Sequence, residues 1–131
     1  MCKGTIVDFV CLKRQLLVWY GCSVETFKTQ VFSVVGEEFE MNNFDDSDGK
    51  TISVELSSGS MLFVCWTRNK DIPMLVHELH HGINNMLRYM GIVEDQKNDE
   101  LSSYYLEYAL RVVLDSEPKS KKLSRKKGKK Q

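Results

Sequence analysis

The apolar residues of this chain fall into two kinds of pattern, and the change from one to the other lays out its elements. Residues 5–10 (Thr-Ile-Val-Asp-Phe-Val) and 16–20 (Leu-Leu-Val-Trp-Tyr) are rich in β-branched and aromatic side chains and predict two strands. Phe27, Val31, Val34 and Val35 then form one stripe behind Ser23, which predicts a short helix over about 24–35, with the valine content keeping a strand in play. Thr51–Leu56 and Met61–Thr67 are apolar runs joined by Ser57-Ser58-Gly59-Ser60 and read as a β-hairpin. Its second strand is apolar on both faces and belongs inside the sheet. From there Leu75, Leu79, Ile83, Met86 and Met90 recur at helical steps, with Asp71 near the cap, Pro73 in the first turn and Gly91 suited to end the helix. Leu101, Tyr105, Tyr108 and Val112 mark a second helix from about Asn98 to Asp115, before Pro118. The fold class expected is α+β: a small mixed or antiparallel sheet with a helix early in the chain, then two antiparallel helices.

Size changes this picture little. The 131 residues form one expected domain, residues 1–117, with a single modest core. Charge changes it more. The formal net charge is zero, yet residues 119–131 hold eight Lys and Arg and no acid, leaving ten bases against eighteen acids, a charge of −8, on the rest. Residues 118–131 therefore read as a disordered basic tail. Such a tail holds nucleic acid or another polyanion by charge neutralisation, or serves only as a solubilising terminus.

No apolar run reaches the roughly 18 residues needed to cross a bilayer, and the start lacks the regions of a secretion signal, so no membrane partner and a cytoplasmic location are expected. Cys2, Cys11, Cys22 and Cys65 show no Cys-x-x-Cys spacing and read as buried or idle thiols without a disulfide framework. Residues 41–50 form a polar loop whose Asp46-x-Asp48-Gly49 lacks the register and terminal Glu of a calcium loop and reads as a solvated turn.

The chemistry concentrates in one place. All three histidines lie in Val76-His77-Glu78-Leu79-His80-His81-Gly82, a His-Glu-x-x-His motif within the predicted helix. On a helix His77 and His81 stand one turn apart on one face, so two neutral imidazoles reach one cation at about 2.0–2.1 Å each. Glu78 is rotated about 60° from His81, beside the cation and free to take a proton from water. A His77–His80 pair could also chelate, but it would leave Glu78 about 160° from His80, so His80 reads as a surface or supporting residue. A hydrolytic zinc site needs a third protein ligand. Glu100, nineteen residues after His81, is preferred for it on the returning helix, since Glu107 has Arg111 one turn on as a competing partner. Tyr104 and Tyr108 are candidate donors to a developing oxyanion, with core packing the plainer role of Tyr104.

These residues, with a Gly-Ile about ten positions after the motif and Asn98-Asp99-Glu100-x-x-x-Tyr104-x-x-Glu107-Tyr108 beyond it, resemble the small zinc metallopeptidases encoded by tailed bacteriophages, which are similar to minimal gluzincins. The resemblance is confined mainly to residues 70–113. It implies His77, His81 and Glu100 as Zn²⁺ ligands, Glu78 as catalytic base, a phage or prophage origin and hence the host cytoplasm. The activity expected is peptide-bond hydrolysis by zinc-activated water, on a protein or peptide substrate. SprT-like proteases, which act on DNA-bound proteins, offer a variant in which the basic tail is a tether, but they look for a third histidine that this chain lacks. The alternative from another class is a non-enzymatic, zinc-stabilised phage structural protein or nucleic-acid-binding accessory protein.

Overall fold

A computed structural model describes residues 2–36, 46–92 and 99–117. The strands are β1 (Gly4–Phe9), β2 (Arg14–Tyr20), β3 (Gly49–Glu55) and β4 (Met61–Thr67); the helices are α1 (Val24–Val35), α2 (Ile72–Tyr89) and α3 (Asp99–Asp115). The predicted α+β organisation is present, with each predicted strand and helix found within a few residues of its expected bounds. The basic tail expected at residues 118–131, and residues 41–45 of the polar loop expected at 41–50, lie outside the described residues.

The strands form one mixed sheet in the order β1-β2-β4-β3. Two antiparallel hairpins, β1–β2 and β3–β4, are joined by a parallel pairing of β2 with β4 that sets Leu16 opposite Phe63 and Tyr20 opposite Thr67. The doubly apolar β4 thus lies inside the sheet, as its composition requires. Successive side chains alternate between faces. Leu16, Val18, Phe63 and Cys65 go to one cluster with α2 and α3, while Leu17, Trp19, Val64 and Trp66 go to another under α1.

Under α1, burial is largely aromatic. Phe27 stacks on Trp66 with ring centroids 5.4 Å apart and meets Trp19 edge-on at 5.4 Å. Both indoles spend their N–H groups: Trp66 Nε1 donates to Cys22 O and Trp19 Nε1 to Gln30 Oε1, each at 2.8 Å. The helix starts where Ser23 Oγ accepts from Thr26 N at 3.2 Å, and ends at Gly36, whose φ of 78° lets its N–H reach Phe32 O at 2.9 Å. These local signals settle a segment whose valines also suit a strand.

The cysteines depart from expectation. Cys2 and Cys22, twenty positions apart with Cα atoms separated by 5.6 Å, form a disulfide that ties the start of the chain to the turn before α1. No local spacing signals this pair; β1 and β2 bring it together. Cys11 is an exposed free thiol and Cys65 a buried one. Among the described residues, no helix is long and apolar enough to cross a membrane.

On the other face α2 lies against β3 and β4, and α3 packs between α2 and β1. Lys70, just before α2, pairs with Glu117, just after α3, at 2.6 Å, and Thr5 meets Ser116 at 3.1 Å, while Tyr105 lies against Phe9 at the far end of β1. The last helix therefore runs back antiparallel to α2, as expected.

Candidate metal centre

The eighteen-residue α2 buries Leu75, Glu78, Leu79, Gly82, Ile83, Met86 and Leu87 and leaves His77, His80 and His81 exposed. Its register follows from the apolar positions, which centre one face on the sheet and carry His77 and His81 to the opposite side. Close approach to the sheet occurs at Gly82, directly after the motif. A Cβ there would lie 2.7 Å from Cys65 Sγ and 2.9 Å from Leu16 Cδ1.

The two histidines converge. His77 Nε2 and His81 Nε2 are 3.2 Å apart, with the rings nearly perpendicular at 88°. Two nitrogens at about 2.0–2.1 Å from a tetrahedral cation are separated by roughly 3.3–3.4 Å, so the pair spans one edge of such a coordination shell. Two neutral imidazoles sharing one proton have a similar spacing. His80 turns elsewhere: its Nε2 lies 3.1 Å from Asn84 Nδ2, which donates to it when that nitrogen is unprotonated.

Glu78 points to the side of α2 that faces β3. Its side chain is buried, 6% exposed, and Oε1 accepts from Thr51 Oγ1 at 2.6 Å, a short charge-assisted bond. The main-chain oxygen of Glu78 receives the Cys65 thiol at 3.2 Å and lies 3.0 Å from Thr51 Oγ1. Burial pushes the Cys65 thiol up to about 12, so it is a packing group and a weak donor here, with no thiolate character. Glu78 Oε2 lies over Gly49, where a Cβ would come within 3.0 Å of it.

The third ligand expected from α3 does not join the pair. Among the described residues no group of three His, Cys, Asp or Glu side chains is placed to hold a metal, and Glu100 is exposed at the start of α3. Glu107 bonds Arg111 at 2.7 Å on the exposed face, the competition its spacing predicted. Tyr108 is also committed elsewhere: its hydroxyl donates to Asp8 O at 3.1 Å. With Tyr104 and Tyr105 it lines an apolar hollow of about 340 Å³ against Phe9, Val10 and Cys11, so these tyrosines serve the β1 side of the molecule.

Thr51, Cys65 and Gly82 are parts of this centre that sequence reasoning assigned no role. Only Gly82 carried a usable signal, since a glycine inside a strongly periodic helix marks a close packing contact. No known family model, curated protein or solved structure matches the chain.

Proposed function

We propose that this chain is a zinc-dependent hydrolase of peptide bonds, with His77 and His81 as metal ligands and Glu78 as the general base. The observation that carries the reading is the 3.2 Å approach of His77 Nε2 to His81 Nε2, the span of two ligands on one tetrahedral cation, on the same helix as a buried, anchored carboxylate. A zinc ion held there supplies Lewis acidity to a substrate carbonyl and lowers the pKa of water. The chain does the rest. His77 and His81 would hold the ion, and Glu78, its Oε1 held by Thr51, would take a proton and hand it to the departing amine. The adjacent β3 is an edge strand in the sheet order, and an extended peptide pairing with its backbone would lie alongside Glu78.

The test is metal analysis followed by turnover. Purified protein is expected to bind one equivalent of zinc, His77→Ala and His81→Ala to lose it, and Glu100→Gln to keep it, since Glu100 stands apart from the pair. Glu78→Gln should hold zinc and lose cleavage of a fluorogenic peptide library. Equal zinc binding by the parent and His77→Ala would remove the centre. Exposure of both histidines favours a second reading, in which another protein completes the shell and zinc is structural. Under that reading Glu78→Gln leaves the protein's biological effect intact.

A further inference from the structure

We infer that this chain forms a two-fold dimer through the free edge of β1, the two β1 strands pairing antiparallel so that two four-stranded sheets join into one. β1 is a terminal strand of the sheet, and among the described residues no strand pairs with its outer side. Natural edge strands are guarded by Lys, Pro, a bulge or a covering segment. β3, the opposite edge, carries Lys50 and Glu55, whereas β1 (Gly-Thr-Ile-Val-Asp-Phe) has Asp8 as its one charge and no proline. Apolar surface gathers on both sides of it. Of the large apolar side chains exposed among the described residues, Ile6, Val10, Val34, Tyr104 and Tyr108 border β1, while Ile72 and Tyr89 lie at the two ends of α2. Ile6 and Val34 line a hollow of about 130 Å³ on the α1 face, and Val10, Tyr104 and Tyr108 line the hollow of about 340 Å³ on the α3 face.

A second copy of the chain fits this edge. A two-fold axis perpendicular to the sheet at Ile6 sets Ile6 opposite its twin, Thr5 opposite Val7 and Gly4 opposite Asp8. Directly opposed residues point to the same face, so Ile6, 57% exposed in one copy, covers Ile6 of the other, and each Asp8 stands over a glycine, clear of its own twin. Moving the axis to Val7 sets Ile6 against Asp8 and loses that match. The five exposed side chains offer roughly 600 Å² per copy, to which the strand edge adds, against about 800 Å² per partner in a stable interface. Charge does not oppose association, because the whole chain has a formal net charge of zero. The dimer leaves β3 as the edge at each end of the joined sheet, beside Glu78, so it is independent of what α2 binds.

Sedimentation equilibrium of the full chain tests this. The parent is expected to be a dimer at about 50 μM, since interfaces of this size hold in the micromolar range or tighter. Ile6→Lys puts two like charges across the axis at an already exposed position, and is expected to weaken the dimer about a hundredfold or more with the circular dichroism of the parent. Ile72→Lys, on exposed apolar surface away from β1, is expected to leave it within about twofold. A covalent probe fixes the register. In a Cys11→Ser background, which removes the exposed native thiol, Ile6→Cys oxidised with diamide is expected to give a disulfide-linked dimer, while Asp8→Cys, whose twin lies roughly 14 Å away, does not. A parent that is monomeric at about 50 μM overturns the inference, as does a dimer that Ile6→Lys leaves intact. So does Ile6→Cys protein that stays uncross-linked, or cross-linking that runs faster through Asp8→Cys. The cross-link decides the matter on its own should Ile6→Lys not fold.

Discussion

Gly82 is where the motif helix meets the sheet, and filling it tests how the centre is seated. In Gly82→Ala the new methyl would lie 2.7 Å from Cys65 Sγ and 2.9 Å from Leu16 Cδ1, well inside ordinary contact. Helix propensity favours the change by about 1 kcal/mol, while overpacking of a close-packed core costs about 1–3 kcal/mol. Steric cost prevails here because neither neighbour is free to retreat: Cys65 and Leu16 are both fully buried, and the Cys65 thiol is bonded to Glu78 O at 3.2 Å. The net expectation is a loss of up to about 2 kcal/mol, or up to roughly 7 °C in melting temperature for a domain of this size. Cys65→Ala by itself removes a buried sulfur and should also destabilise. Together, however, the first substitution supplies volume where the second removes it, so the double variant should be more stable than the sum of the two losses by about 1 kcal/mol or more. Urea unfolding of the four proteins measures that coupling. Additivity within about 0.5 kcal/mol would show that α2 is not pressed against Cys65 at Gly82, and the reasoning would fall.

Three more outcomes follow from the same structure. Because Cys65 stays protonated in the fold to about 12 but ionises near 9 when unfolded, the native state binds more protons between those values; stability is intact below pH 9 and falls above it by about 1.4 kcal/mol per pH unit. Alkaline unfolding of Cys65→Ala should show a shallower slope, and an unchanged slope would contradict the burial of that thiol. Thiol titration of the oxidised protein in denaturant should count two groups, Cys11 and Cys65, and reducing the Cys2–Cys22 bond should cost about 3 kcal/mol for its twenty-residue separation; four thiols would refute the pairing. Ser23→Ala removes the hydroxyl that caps α1 and should lower stability by about 1 kcal/mol in chemical denaturation, whereas no change would mean the cap carries no weight.

What the residues determined by themselves was whatever depends on near neighbours along the chain. The bounds of α1 follow from Ser23 and Gly36, the interior place of β4 from its two apolar faces, and the convergence of His77 and His81 from a spacing of four on a helix. The Glu107–Arg111 pair was legible for the same reason. Tertiary structure decided whatever needs distant segments to meet. Parallel pairing of β2 with β4, the joining of Cys2 to Cys22 and the hydroxyl of Thr51 on Glu78 each depend on strand order, which no local period encodes. Glu100 shows the limit most plainly. Loop length indicated that α3 would return beside α2, but which of its side chains meet the motif is decided by how the two helices pack, and among the described residues no third donor is grouped with His77 and His81.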